Sequence, residues 1–563
     1  MADDKKLSKV EQIKLESDYL RGSLPEALQD ETSHFAEENI QVLKFHGVYQ
    51  QDDRDLRRQL VKEGKERHYM MMIRARIPGG VMDADQYLQF DKLSETYGNN
   101  TMRITTRQTF QLHGILKSNL KETIKSINDV LITTLGGCGD QVRNIVTSGA
   151  PHEGPFYDKV RKDLLAVVDG TSAKTNAYHE IWLDGEKLDL NEEETVEPMY
   201  GKTYLPRKFK IAFTYEGDNS ADIYSNDIGI VAHRDGDDVA GYTLVIGGGM
   251  GRIASDKKTH PQLALPLCFV RPDELVKTCQ TIVTVQRDHG NREVRKFARM
   301  KYLIEARGIE WFREQVEERL GYKLTPPREL KWETSHDPLG RIEGVNGKVH
   351  LGLFIENGRI RDTEELPLKS LLRDIVTTYR PGVRMTTQQN LILTGLTAEQ
   401  VSEIEQKLRG AGFPLAGEHS PVLLNSMACP AMPTCGLAIA ESERALPSVV
   451  RELEGALKEI GLADEPISVR MTGCANGCAR PYIAQIGFVG RIIGKYDVFL
   501  GANVAGTRLN QLYKEMVPVA ELVPTLVPVL KMFKAERQHG ESFGDFCARV
   551  GIEALQERFT PVS

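Results

Sequence analysis

Residues 71–116 read MMIRARIPGGVMDADQYLQFDKLSETYGNNTMRITTRQTFQLHGIL, and residues 348–396 read KVHLGLFIENGRIRDTEELPLKSLLRDIVTTYRPGVRMTTQQNLILTGL. In the first stretch an apolar strand runs into a Pro-Gly-Gly turn, an amphipathic helix around Tyr87 to Tyr97 and a second strand. The second stretch repeats that order. Arg103-Ile-Thr-Thr-Arg-Gln108 is echoed by Arg384-Met-Thr-Thr-Gln-Gln389, 384 − 103 = 281 positions later, half of the 563-residue chain. Solenoid units recur every roughly 20–50 residues, so a period this long marks a duplicated domain. The expected fold class is α+β, with two related halves preceded by an arm.

Each block is followed by a longer segment. In the first half Lys208 to Tyr215, Asp222 to Ala232 and Tyr242 to Ile246 read as strands and Pro272 to Asp288 as a helix; in the second, Ile439 to Ile460 reads as helix and Ile483 to Val489 as strand. The charged, proline-containing region Leu324 to Gly344 is the linker candidate. Residues before about Leu60 have helix-like charge spacing without a long apolar face, as in a segment that wraps the body or meets a partner. The divisions are 1–62 (arm), 63–135 and 331–408 (repeated blocks), and 136–330 and 409–563 (longer segments). Several domains suit this length, since single cores stop growing at roughly 250–300 residues.

Composition removes other classes. Hydrophobic residues are 40% and charged residues 27%, and 72 Lys plus Arg against 79 Asp plus Glu leave a net charge of −7. That balance excludes disordered and collagenous chains, and mild acidity argues against a general nucleic-acid binder. The start, MADDKKLSKVEQIKLESDYLRG, mixes acids and bases with no apolar core, unlike a signal or transit peptide, so a cytoplasmic location is expected. The apolar stretches Leu263 to Val270 and Leu522 to Leu530 fall far short of the ~20 residues of a membrane span.

The eight cysteines are too few for a disulfide scaffold. Cys138, Cys268, Cys279 and Cys547 are scattered among apolar or glycine-rich neighbours and read as small buried hydrophobes. The other four are paired as Cys429-x5-Cys435 and Cys474-x3-Cys478. Two short-spaced thiolate pairs meet the ligand demand of a tetrahedral zinc or an iron-sulfur cluster. The spacing leans toward the cluster, since zinc pairs favour C-x2-C to C-x4-C.

Asn425-Ser-Met-Ala-Cys429-x5-Cys435 and Thr472-Gly-Cys474-Ala-Asn-Gly-Cys478-Ala-Arg480 resemble the cluster signature of the sulfite and nitrite reductase hemoproteins. Thr106-Arg-Gln-Thr-Phe-Gln111, Leu205-Pro-Arg-Lys-Phe-Lys210 and the repeat occur in that family's order, over nearly the whole chain. The resemblance implies duplicated, pseudo-twofold ferredoxin-like half-domains plus two larger α/β sulfite-reductase domains around one cofactor site. It implies Cys429, Cys435, Cys474 and Cys478 as ligands of a 4Fe-4S cluster, with Cys478 bridging to siroheme iron. A redox metal suits six-electron reduction of sulfite to sulfide, which redox-inert zinc does not.

By the same carry-over, Arg74, Arg143, Lys208 and Lys210 face the substrate; arginine offers multidentate oxyanion donors and lysine a compact charge that donates a proton. Lys208 and Lys210, two apart on a predicted strand, share one face; an isolated KFK would read as a solvated strand edge. Arg103, Arg107, Gln111, His113, Lys301, Asn476 and Cys478 are the expected siroheme contacts, although Lys301 lies in a run that also reads as an exposed helix and His113 could be a satisfied strand histidine. Gly247-Gly-Gly-Met-Gly251 is not a dinucleotide fingerprint, because Arg252 stands where the last glycine is required; it reads as close backbone approach near the siroheme. NADPH, FAD and FMN therefore belong to a partner. Leu15 to Gly22 and Phe45 to Asp55 resemble the arm of the family's NADPH-dependent branch, which docks a flavoprotein alpha subunit. Nitrite reduction, a ferredoxin donor and a zinc-binding non-enzymatic protein are the alternatives.

Overall fold

The computed structural model describes residues 7–174, 182–183, 186–187 and 197–559. The repeated blocks form two five-stranded antiparallel sheets. The first has the order Val48–Asp52, Tyr69–Arg74, Phe110–Ile115, Met102–Ile104, Arg359–Ile360; the second has Gly340–Glu343, Val349–Leu353, Leu391–Leu396, Gly382–Met385, Val81–Met82. The last strand of each sheet is thus supplied by the other block. Arg359 pairs with Arg103, and Arg384 with Val81. This reciprocal exchange is the pseudo-twofold relation that the repeat implies.

Local chemistry explains the elements. Asp83 accepts from Gln86 N at 2.8 Å while the Gln86 side chain returns to Asp83 N, a capping box that starts the helix Ala84–Thr96. In the second block Leu368–Tyr379 follows Pro367 and ends where Arg380 turns left-handed. These two helices pack together, joined by the buried Lys369–Asp91 pair at 3.0 Å.

The longer segments also correspond. One sheet orders Leu265–Val270, Asp238–Ile246, Ile228–Asp235, Ile211–Tyr215; the other orders Ser426–Ala428, Val469–Thr472, Ile486–Ile492, Lys495–Leu500, Gln511–Pro518. Ile211 pairs with Ile228 in parallel as Val469 does with Ile486, a common offset of 469 − 211 = 486 − 228 = 258. Asp222 and Arg480 share that offset and adopt left-handed φ of 50° and 56°. They also touch, with Arg480 Nε 2.5 Å from Asp222 Oδ2. One apolar core runs from Ile13 to Leu415 and a second from Val422 to Leu555.

Several expectations are corrected. Val48–Asp52, inside the segment read as an arm, is the edge strand of the first sheet, and Ile13, Leu20, Phe35, Val42 and Phe45 of that segment are buried in the main core. Of these only Ile13 and Val42 lie in helices, one in each of two short ones, and the rest in turns and loops, so no helix shows a long apolar face. The linker candidate contains Gly340–Glu343, the edge strand of the second sheet, and Trp332–Thr334. The first strand of the 208–215 segment starts at Ile211, with only Phe209 bridged beforehand to Val142. Helix Leu446–Ile460 starts after the cysteine loop, at Leu446 rather than Ile439.

Asp337 gives a testable pH dependence. Thr386 Oγ1 and Asn390 Nδ2 (2.9 Å) donate to its Oδ2, whereas Oδ1 is buried without a partner. Burial pushes the carboxyl up to about 6. A folded-state value above the ordinary ~3.9 means this group's stabilisation is complete below about pH 4 and is lost as pH rises through 6. Asp337→Asn removes the penalty: between pH 5 and pH 8 the variant should gain about 1.4 kcal/mol relative to the parent, read from unfolding midpoints. Parallel pH profiles for the two chains would refute this.

Candidate functional site

Cys429 follows the strand Ser426–Ala428, and Cys474 and Cys478 follow the neighbouring parallel strand Val469–Thr472. The carboxyl ends of parallel strands are where such sheets offer binding crevices. The two cysteine loops approach so closely that a Cβ on Gly473 would lie 2.5 Å from both Ala431 Cβ and the Ala440 carbonyl. Glycine here lets its own N–H reach Cys429 Sγ at 3.4 Å, and Asn476 Nδ2 stands 3.5 Å from Cys474 Sγ. Burial first, and then the charge of Cys478, push the Cys474 thiol up to about 11 and raise Cys429 and Cys435. Among the described residues no three His, Cys, Asp or Glu side chains converge as around one ion. A four-iron cluster binds each cysteine through a separate iron, so its ligands stand further apart.

The cysteine loops border a cavity of about 1820 Å³, counted to its open mouth. Its opposite wall is the first five-stranded sheet, on which Arg74 faces Gln111 and Gln111 faces Arg103 across neighbouring strands. Directly opposed residues share a face, and His113, two positions from Gln111, joins them. Arg143 and Lys208 enter from two segments joined by Arg143 N to Phe209 O at 2.9 Å. Phe209 is buried at 1% exposure, which turns Lys208 and Lys210 to the other side of that segment. Burial, reinforced by Arg143 and Arg207, pulls the Lys208 ammonium down to about 7, and burial with Lys208 lowers Lys210 well below the usual lysine range.

The cavity therefore brings together Arg74, Arg143, Lys208, Arg103, Gln111, His113, Asn476 and all four paired cysteines. Lys210, partly exposed on the same side as Lys208, is not among the residues that line the space, and two further expected site residues stand behind its wall. Arg107 donates to Asn226 Oδ1 at 2.6 Å and to the carbonyls of Asn144 and Ile211. Lys301, 1% exposed, places its Nζ on the carbonyls of Gly249 (3.1 Å), Gly251 (2.9 Å) and His260. It shapes the glycine turn, whose Gly251 packs on Asn476 and whose Arg252 N donates to Ala475 O at 2.9 Å. The close backbone approach at that turn is to the cysteine loop, at Asn476 on the border of the cavity. Arg103 lines the cavity but gives its guanidinium to Glu443 (2.9 Å) and the Ala428 carbonyl (2.8 Å), next to Cys429.

Other lining residues were not picked out from sequence. Lys44, Tyr49 and Gln51 come from the segment read as a docking arm. Arg207 stands inside the LPRKFK motif itself, and Gln389 is the repeat's counterpart of Gln108 (389 − 108 = 281), a signal available in the sequence. Cys138, buried as expected, also accepts from Arg74 Nη1 at 3.2 Å.

The residues fit an anionic tetrapyrrole beside a cluster. Seven side chains of the wall are Lys or Arg against one carboxylate, Asp140. Arg74 Nε, Gln111 Oε1, His113 Nε2 and Gln389 Oε1 are buried in or behind that wall with no hydrogen-bond partner among the described residues. Such orphaned polar atoms are costly unless a bound group completes them. Two Cys pairs with backbone and amide donors suit bridged iron.

The chain is similar to known proteins over nearly its whole length. The model described as nitrite/sulfite reductase ferredoxin-like half domain matches residues 62–130 and again 342–411. The one described as nitrite and sulphite reductase 4Fe-4S domain matches 166–324, a segment that ends before the four paired cysteines. The sulfite reductase [NADPH] hemoprotein beta-component of Staphylococcus saprophyticus is 45% identical over 549 residues, covering 97% of this chain and 96% of that one. The protein of the same name from Geobacillus thermodenitrificans is 44% identical over 550 residues, with 97% and 96% coverage. Mycobacterium tuberculosis NirA superposes with a TM-score of 0.79 over 98% of both chains at 23% identity, which speaks for the fold.

Proposed function

The chain belongs to the nitrite and sulfite reductase family, and from that premise we propose that it is the hemoprotein component of an assimilatory, NADPH-dependent sulfite reductase. The observation that carries this reading is one cavity with seven cationic side chains and, at its border, four cysteines in two facing loops. Siroheme coupled to a 4Fe-4S cluster supplies, when bound, an open iron position and sequential electron delivery. Cys429, Cys435, Cys474 and Cys478 would hold the cluster, with Cys478, the most exposed of the four, presented toward the tetrapyrrole.

The chain's own groups handle the anion and the protons. Arg74 and Arg143 bind and orient sulfite oxygens as fixed donors; both guanidinia are braced from behind, by Cys138 Sγ and the Gly139 carbonyl (3.1 Å) respectively. Lys208 Nζ, with its affinity for protons lowered toward neutrality by burial and neighbouring arginines, releases a proton to a departing oxygen more readily than an ordinary lysine. Lys210, on the same side of the segment, holds up the positive potential of the site.

The beta-component name of the relatives implies an alpha-component; on this reading that partner is a flavoprotein carrying NADPH, FAD and FMN, and the lack of a dinucleotide fingerprint after Tyr242 to Ile246 supports it. No helix among the described residues is long and apolar enough to cross a membrane. The purified protein should be coloured, with siroheme absorption bands and acid-labile sulfide; colourless, iron-free protein would overturn the proposal. Sulfide should form from NADPH with the cognate flavoprotein, and reduction supported by ferredoxin alone would reassign the donor. The ratio of kcat/KM for sulfite to that for nitrite should exceed unity.

A further inference from the structure

Lys14 and Glu11 lie on the helix Lys9–Glu16, and each side chain is only 1% exposed. Fully buried charges are rare unless paired, and a helix that served only to meet a partner would keep them in solvent. Lys14 Nζ donates to the Leu205 carbonyl at 2.8 Å, pairs with Glu11 and stands 3.8 Å from Asp140 Oδ2. Arg295 closes on the same Asp140 oxygen at 2.9 Å, and Arg292 joins Glu11 to the Tyr204 carbonyl at 2.6 Å. Neither Lys14 nor Glu11 lines the cavity.

The two places that Lys14 grips are the starts of the segments bearing substrate-facing cations. Arg143 is three residues beyond Asp140 and Lys208 three beyond Leu205 (143 − 140 = 208 − 205 = 3). From there the segments run in step: Leu205 N donates to Asp140 O at 3.0 Å, Phe209 N to Gln141 O at 3.1 Å and Arg143 N to Phe209 O at 2.9 Å. A displacement at the start would therefore be passed along to both cations. We infer that Lys14 is a positioning residue for sulfite binding, its buried ammonium fixing the segments that carry Arg143 and Lys208, so that the N-terminal helix is part of the substrate site's scaffold. This rests on the reading of Arg143 and Lys208 as sulfite-binding groups.

Removing the ammonium leaves Glu11 and Asp140 buried with one counter-charge fewer, and the segments must shift to relieve it. Displacement of binding groups by about 1 Å can cost up to ~100-fold. The test uses the cofactor-loaded full chain with reduced methyl viologen, a donor that needs no docking partner. Lys14→Met should raise the KM for sulfite about tenfold and lower kcat as well, since Lys208 moves with Arg143, while leaving the visible spectrum unchanged, and Lys14→Arg should recover most of both losses. Deuterium exchange should quicken over 138–146 and 205–211 but not over 426–478. If Lys14→Met does not fold, Glu11→Gln, which loosens the same ammonium, should raise KM in the same sense by a smaller factor. Unchanged KM and exchange in a folded variant, or a defect confined to assays with the flavoprotein, would overturn the inference. Lys208→Met is the control: if it too leaves KM and kcat untouched, the sulfite-site reading fails instead.

Discussion

Replacing Cys478 by serine is expected to cost the protein its cluster, its siroheme coupling and its turnover together. Cys429 and Cys435 sit on one loop and Cys474 and Cys478 on the other, and Cys478 is the one exposed toward the cavity. The remaining thiols are buried or partly buried, and burial pushes them toward the protonated form, so iron binding must expel protons from them. Serine offers a hard, weakly acidic hydroxyl in place of a soft thiolate. Acid-labile sulfide should be lost and sulfite turnover should fall by more than about a thousandfold, equivalent to ~4 kcal/mol. A coupled EPR or Mössbauer signature persisting in Cys478→Ser would falsify the bridging role.

Lys208→Met should act in the opposite pattern, keeping the cofactors and losing the reaction. Methionine matches the apolar stem of lysine but removes a donor from the cavity wall, and loss of one such donor typically costs about 100–1000-fold in kcat. The visible spectrum and iron content should be those of the parent. Because Lys208 titrates near neutrality through burial and the fields of Arg143 and Arg207, the variant should also lose the alkaline fall in rate that deprotonation of this ammonium imposes on the parent. Equal sulfite turnover in parent and variant would exclude proton delivery by Lys208.

Much of this centre was legible in the chain because the chemistry is carried by short, spaced motifs. The cysteine pairs, the Arg103 and Arg384 echo and the LPRKFK segment report local spacing, and local spacing survives folding. What escaped was set by distant contacts. Lys301 and Arg107 are cations in the right neighbourhood whose donors turn out to be spent on backbone carbonyls, and sequence does not show which carbonyls come near. The strand Val48–Asp52 was hidden because its partner Tyr69–Arg74 lies beyond an intervening helix. The exchange of Val81–Met82 for Arg359–Ile360 could not be read from two-residue strands, which carry no periodicity.

The contact between Asp222 and Arg480 has a consequence for the symmetry of the whole molecule. In an assembly of two identical subunits, a residue near the twofold axis meets its own copy, so an acid there could only face an acid. Within one continuous chain the related positions are free to diverge, and here they hold opposite charges. That bond is open only to a fused pair, and it is made without a partner of equal kind. It distinguishes front from back across the axis, as the cysteines of one half and the cations of the other also do, and makes a single reaction chamber the natural outcome of two homologous halves.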